Sequence, residues 1–68
     1  MTSAIILGID PGTRVTGYGV IRQLGHHFEP LDFGCVRPPA HLPLHDRYKI
    51  IFDGVEQIIA QFKPTAIA

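Results

Sequence analysis

The sequence predicts a mixed α/β fold with the element order β-β-β-α-β. Three β-rich runs open the chain, a long helical stripe follows them, and a new strand-like run begins near residue 65. Hydrophobic residues make up 46% and charged residues 18% of the 68 residues, which is typical of a packed globular chain. Because the last run stops soon after it starts, we expect residues 1–68 to be the N-terminal part of one larger, incomplete domain.

The first three strands are predicted at residues 4–10, 16–22 and 28–36, and they form an antiparallel meander. The first strand is almost continuously apolar, which is typical of a central strand covered on both faces. Pro11 and Gly12 follow it in the order that a type II turn prefers. Pro30 lies early in the third strand, which favours a position at the sheet edge.

A helix is predicted from near Pro43, which suits the first helical position, to Lys63, because Pro64 ends it. Its apolar residues recur at steps of three and four and share one stripe, namely Leu44, Tyr48, Ile51, Val55, Ile58, Ile59 and Phe62. Gly54, at the margin of this stripe, indicates a close contact with the sheet. The fourth strand, from Thr65, should lie parallel to one of the first three because a helical crossover precedes it.

Two further predictions concern the core. The helical aromatics Tyr48, Phe52 and Phe62 are expected to pack against the sheet. Cys35, in the third strand, is expected to be a buried small apolar residue.

Composition restricts the class of protein. Six Lys and Arg balance six Asp and Glu, whereas a stand-alone DNA-binding module is usually basic, so positive charge for a nucleic acid would have to lie elsewhere. The single cysteine rules out an intrachain disulfide. No secretory signal and no run of roughly 20 apolar residues is found, and with the lone thiol this favours the cytoplasm and no membrane partner.

Asp10 is the strongest candidate for a functional residue, because a carboxylate at the end of an apolar strand is costly to bury without compensation. By strand alternation it shares a face with Gly8, which leaves open space for a metal or a phosphate. From the four residues Asp-Pro-Gly-Thr alone, however, a structural role at the first position of a turn is the stronger interpretation.

A longer stretch favours a functional site. Residues 6–21, ILGIDPGTRVTGYGVI, closely resemble the N-terminus of the RuvC-type Holliday-junction resolvases, and so do residues 34–37, GCVR, and 54–64, GVEQIIAQFKP. Only the segment from Pro38 to His45 is poorly matched. The resemblance implies an RNase H-like fold with a mixed five-stranded sheet. It places Asp10 at the first-strand aspartate, one of four metal-binding carboxylates, the second being a glutamate late in the fourth strand.

The resemblance also implies a function. The full-length parent would be a Mg²⁺-dependent homodimeric endonuclease, with two ions per site, that nicks paired strands of four-way junction DNA in recombination and repair. It would act with a branch-migration helicase complex of the RuvA and RuvB type. Asp10 would be the catalytic and metal-binding residue here, and residues 1–68 alone would be inactive because the other three acids lie outside them.

The residues beside the turn allow a second contact. Arg14 and Thr16 follow Asp10 closely and could bind a phosphate backbone through a charge-assisted and a hydroxyl hydrogen bond. The sequence favours at least as much the interpretation that Arg14 is a solvated residue of the turn.

Three other functions are weighed. A YqgF-like nuclease of the same fold also begins with Gly-x-Asp-x-Gly, but its turn is shorter. An ATP-binding domain of the actin, Hsp70 and sugar-kinase superfamily shares the core from Gly8 to Thr13, but usually has Thr or Ser where this chain has Arg14 and Val15. A histidine metal site is disfavoured because His26 and His27 are adjacent, and Pro43 interrupts the pair His41 and His45.

Overall fold

The computed structural model describes residues 3–68 and confirms the predicted element order. The strands are β1 (Ser3–Asp10), β2 (Thr16–Leu24), β3 (His27–Val36) and β4 (Ala66–Ile67), and the helix is α1 (Leu44–Phe62). They form a mixed sheet in the order β3-β2-β1-β4, with β1 as a central strand. β2 runs antiparallel to both β1 and β3, and β4 runs parallel to β1, as the crossover through α1 predicts.

Strand β3 lies at one edge of the sheet, which confirms the position inferred from Pro30. Its ladder with β2 is irregular at that proline: Val20 pairs with Asp32, whereas the next residue, Ile21, pairs with Pro30. Leu31 is therefore the extra residue of a β-bulge. Proline has no N–H to donate to a ladder, so a bulge on an edge strand accommodates it.

The core lies on one face of the sheet, beneath α1. Leu7 and Val20 pair directly across β1 and β2 and are fully buried, and Ile58 of the helix packs with them. Phe62 packs partly buried against this cluster, as predicted. The prediction for the other two helical aromatics is wrong, since Tyr48 is 52% and Phe52 is 64% exposed. The apolar stripe is wider than the strip of helix surface that reaches the sheet, so Tyr48 at its flank stays exposed, and Phe52 lies outside the stripe.

Gly54 brings α1 close to β3. A Cβ atom built at Gly54 would lie 2.9 Å from Cγ2 of Val36, which confirms the close contact expected from its place in the stripe.

The helix α1 begins and ends within one residue of the positions predicted from Pro43 and Pro64. Pro43 is the N-cap and not the first helical residue. At the other end, Lys63 adopts the left-handed conformation with φ 49° and donates its backbone N–H to the carbonyl of Ile59. Within residues 3–68, no helix combines the length and the apolar character that crossing a membrane requires.

Candidate functional site

Asp10 lies at the end of central strand β1, on the sheet face that α1 does not cover. Leu7 is buried beneath the helix, so alternation along β1 turns Gly8 and Asp10 to the opposite, open face. Asp10 pairs with Gly17 of β2, which in turn pairs with Cys35 of β3. The exposed carboxylate therefore stands at the end of a row of three residues on the open face.

A shallow groove of about 680 Å³ lies beside Asp10 on this open face. Its floor contains Gly8, Gly17 and Gly19, and a Cβ atom at Gly19 would meet no atom within 4 Å. Phe33 of β3 also lines the groove and is 82% exposed. The space that Gly8 predicts beside the carboxylate is thus present, and two more glycines extend it.

Cys35 also lines this groove and is exposed, so the prediction of a buried cysteine is wrong. Its register opposite Gly17 puts its side chain on the open face, where residues 3–68 provide no covering layer. Strand propensity indicated that Cys35 lies in a strand, but not which face of the strand it occupies.

The turn after Asp10 differs from the predicted type. A type II turn requires a positive φ at Gly12, but Gly25 is the sole glycine of residues 3–68 with a positive φ, 61°. Glycine is required at position 12 for a different reason. A Cβ atom there would lie 2.4 Å from the carbonyl oxygen of Val15, so the turn leaves no room for a side chain.

Thr16 closes this turn by two hydrogen bonds to one residue. The backbone N–H of Gly12 donates to the Thr16 hydroxyl oxygen at 3.2 Å, and the hydroxyl donates to the carbonyl of Gly12 at 2.9 Å. Thr16 is 2% exposed. Its hydroxyl is therefore occupied within the turn, and the phosphate contact predicted for Thr16 stays a prediction.

Two arginines lie at the same end of the sheet as Asp10. Arg14 is exposed in the turn. Arg37 is also exposed and directly follows β3, whose end lies beside that of β1 because both strands run antiparallel to β2. Arg37 was not among the predicted site residues, although the direction of a three-strand meander would have indicated it.

Strand β4 brings the chain to the other side of β1. The backbone N–H of Ala68 donates to the Leu7 carbonyl at 2.9 Å, and the N–H of Ile9 donates to the Ala68 carbonyl at 3.0 Å. Ala68 also lines the groove together with Asp10. The fourth strand is thus parallel to one of the first three, as predicted, and the structure shows that this strand is β1.

A tyrosine and an aspartate are hydrogen-bonded on the helix-facing side of the sheet. The Tyr18 hydroxyl donates to Oδ2 of Asp32 at 3.1 Å. Partial burial raises the pKa of Tyr18, and the hydrogen bond to Asp32 and the nearby negative charges of Asp32 and Cys35 raise it further. This pair lies on the opposite face from the Asp10 carboxylate and stabilises the sheet.

Residues 3–68 contain no cluster of three or more His, Cys, Asp or Glu side chains that could hold a metal ion. His45 instead contacts Asp46 at 3.4 Å on the exposed surface of α1. Asp10 is a single carboxylate, but its exposure and the open groove beside it fit a hard divalent cation, which prefers carboxylate oxygen and retains several waters.

A mixed sheet in the order β3-β2-β1-β4, one helical crossover and an aspartate at the end of the central strand define an RNase H-like α/β protein. The sequence model of the crossover junction endodeoxyribonuclease RuvC family matches residues 6–68. The chain belongs to this family, so the YqgF-like and ATP-binding interpretations are not retained.

Curated relatives agree with the family match. The crossover junction endodeoxyribonuclease RuvC of Protochlamydia amoebophila is 57% identical over 63 residues, which are 93% of this chain and 38% of that protein. The protein of the same name from Vibrio vulnificus is 57% identical over 65 residues, or 96% of this chain and 37% of that protein. The one from Syntrophotalea carbinolica is 48% identical over 63 residues, or 93% and 39%. The chain therefore spans less than two fifths of the length of these relatives.

Proposed function

We propose that residues 1–68 form the N-terminal part of a nuclease domain that resolves four-way DNA junctions by nicking paired strands in recombination and repair. The family match and the names of its relatives support the reaction class. The structural observation that supports it best is the position of Asp10, at the end of the central strand and facing an open groove.

Asp10 is proposed as a metal ligand of this nuclease. The family is one of metal-dependent nucleases, and Mg²⁺ is the hard, oxygen-preferring cation that the single carboxylate and its open surroundings suit. A pair of such ions, if bound, would supply activation of a water and stabilisation of the leaving oxygen of a phosphodiester. Asp10 itself binds and orients the cation, and the glycines around it keep the approach of a phosphate free of side chains.

The second carboxylate is proposed to come from the continuation of β4. Ile67 pairs with Leu7, and hydrogen bonds continue this parallel register to Ala68. Successive residues of a strand alternate between faces, so the position two residues after Ala68 would lie beside Asp10 on the open face. A glutamate there would place two carboxylates next to each other, which is what a metal site of this kind needs.

An exposed arginine near Asp10 supports the proposal that the substrate is DNA. Arg14 is proposed to contact a phosphate of the DNA, because it is exposed and follows the turn beside Asp10. The zero net charge of the chain means that further positive charge must come from the rest of the protein.

Proposals about the assembly follow from the substrate. A four-way junction has two-fold symmetry, so an isologous homodimer would present the same site twice. A branch-migration helicase complex of the RuvA and RuvB type is the proposed partner, and the cytoplasm, where the DNA substrate lies, is the proposed location.

The test is Asp10→Asn in the full-length protein, compared with Asp53→Asn, which makes the same chemical change on the exposed surface of α1. We expect Asp10→Asn to abolish Mg²⁺-dependent cleavage of a synthetic four-way junction while junction binding persists. Asp53→Asn should cleave like the unmodified protein. Near-normal cleavage by Asp10→Asn would refute its role as a metal ligand.

The isolated 68-residue chain is expected to cleave nothing, because residues 3–68 contain no group of three or more His, Cys, Asp or Glu side chains that could hold a metal ion, and one carboxylate holds Mg²⁺ weakly. Turnover by a preparation free of other nucleases would show that the additional carboxylates are unnecessary.

A further inference from the structure

We infer that Thr16 is a positioning residue for Asp10: it fixes the turn that follows the carboxylate and so orients the carboxylate for metal binding. This inference rests on the proposed role of Asp10. It gives Thr16 a function other than a contact with DNA.

The first observation is that the Thr16 hydroxyl is fully engaged and buried. It accepts a hydrogen bond from the N–H of Gly12 and donates one to the carbonyl of the same residue. The residue as a whole is 2% exposed. A hydroxyl that bonds both backbone groups of a residue four positions earlier holds that residue as a strand partner would.

The second observation is that these bonds close a loop that begins at Asp10. The last ladder pair of β1 and β2 is Asp10 with Gly17, and the Thr16–Gly12 bonds lie immediately inside it. Pro11, between Asp10 and Gly12, has a fixed φ and restricts Asp10 to extended conformations. The Asp10 backbone is therefore constrained by the ladder on one side and by the Thr16-bonded turn on the other.

The third observation is that Thr16 lies on the helix side of the sheet. A cleft of about 310 Å³ on the helix side is lined by Pro11, Gly12, Thr13, Thr16, Tyr48 and Ile51. Thr16 faces this cleft, while Asp10 faces the open groove on the other side of the sheet. Thr16 thus acts on the carboxylate through the backbone and does not touch it.

The hydroxyl and the packing of Thr16 can be separated. Thr16→Val keeps the β-branched shape and removes the hydroxyl, whereas Thr16→Ser keeps the hydroxyl and removes a methyl group. Thr13→Val makes the same change as the first variant at an exposed residue of the same turn. All three are compared in the full-length protein, with Asp10→Asn as the reference for a lost ligand.

The test combines cleavage with measurements of hydrogen exchange, Mg²⁺ binding and thermal unfolding. Amide hydrogen exchange at Gly12, in the absence of metal, reports directly on the hydrogen bond that the Gly12 N–H donates to the Thr16 hydroxyl. Calorimetric titration with Mg²⁺, and the Mg²⁺ concentration that gives half-maximal cleavage, report on metal binding. A role limited to overall stability would move the unfolding midpoint without moving the metal requirement.

We expect Thr16→Val to speed Gly12 exchange and to raise the half-maximal Mg²⁺ concentration about tenfold, the low end for residues that orient a metal ligand. Thr16→Ser and Thr13→Val should stay within about twofold of the unmodified protein. An unchanged Mg²⁺ requirement in a folded Thr16→Val protein overturns the inference. So does a Thr16→Ser protein that is impaired as much as Thr16→Val, because packing would then be the cause. If Asp10→Asn retains cleavage, the proposed function has failed, whatever the Thr16 variants do.

Discussion

Gly17 faces Asp10 directly across the β1–β2 ladder, and a Cβ atom at Gly17 would lie 3.8 Å from the Cβ atom of Asp10. That distance is an ordinary van der Waals contact, so the backbone does not exclude a small side chain at position 17. Any atom beyond Cβ, however, would enter the space in which the Asp10 carboxylate has to bind its ligand. The glycine is therefore explained by the site and not by the packing of the sheet.

This relationship predicts the behaviour of Gly17→Val in the full-length protein. Its branched side chain should crowd the carboxylate and raise the Mg²⁺ concentration for half-maximal junction cleavage about tenfold. The unfolding midpoint should change little, because valine has a high strand propensity. Gly17→Ala, which adds no atom beyond Cβ, is the matched control, since its Cβ would lie at an ordinary contact distance of 3.8 Å from the Cβ of Asp10. A Gly17→Val protein with an unchanged metal requirement would show that the space beside Asp10 is not used.

Gly12 and Gly19 form a second matched pair, for stability. Gly12→Ala puts a Cβ atom 2.4 Å from the Val15 carbonyl oxygen, a backbone atom that cannot move without opening the turn. We expect a loss of about 1–3 kcal/mol in the free energy of unfolding, measured by urea denaturation. Gly19→Ala should be neutral or slightly stabilising, because alanine restricts the unfolded chain more than glycine does. Equal stability of the two variants would contradict the turn geometry.

The sequence was sufficient to predict the order and type of every element, and the reasons are local. Near-continuous apolarity identified β1 as a central strand, and Pro64 ended the helix within a residue of the observed end. Strand alternation also put Asp10 on the same face as Gly8, but the expectation that β1 is covered on both faces was wrong for residues 3–68, where α1 covers only the face of Leu7.

The errors concern exposure and turn type, which local patterns do not determine. Cys35 and Phe52 are apolar residues in the correct elements, yet both are exposed because one helix covers part of one sheet face. The Pro-Gly pair after Asp10 is common to several turns, and the carbonyl of Val15, which excludes a side chain from Gly12, comes into contact only when the chain folds back. Such contacts depend on tertiary geometry.

Two opposing effects determine how Gly54→Ala changes the stability of the protein, because Gly54 lies close to Val36. Alanine at position 54 should stabilise α1 by about 1 kcal/mol through its helix propensity. Its Cβ would, however, lie 2.9 Å from Cγ2 of Val36, and overpacking of that kind costs about 1–3 kcal/mol. We expect Gly54→Ala to be destabilising in thermal unfolding of the full-length protein, because valine has few rotamers with which to move away.

A double-mutant cycle isolates that contact. Val36→Ala removes the methyl groups in question, so Gly54→Ala in the Val36→Ala background should recover the propensity gain and become stabilising. The interaction energy between the two positions should exceed about 1 kcal/mol. Additive effects of the two substitutions would mean that the helix and β3 adjust without strain.

The Tyr18–Asp32 pair predicts an alkaline loss of stability. The pKa of Tyr18 is raised in the folded protein, so above the ordinary tyrosine value of 10.0 the unfolded chain loses its proton first. The unfolded state then binds fewer protons than the folded state, and the free energy of unfolding falls as pH rises. The stabilisation is complete below pH 10 and is lost as pH rises through the raised pKa of the folded state.

Tyr18→Phe removes this titration together with the hydrogen bond to Asp32. At neutral pH we expect the unmodified protein to be about 1 kcal/mol more stable than Tyr18→Phe in urea denaturation. Above pH 10 that difference should shrink, because the phenolic group then favours the unfolded state. Tyr48→Phe, which removes the hydroxyl of a half-exposed tyrosine on α1, is the control for the substitution itself. A difference between Tyr18→Phe and the unmodified protein that stays constant up to the highest pH tested would contradict the raised pKa.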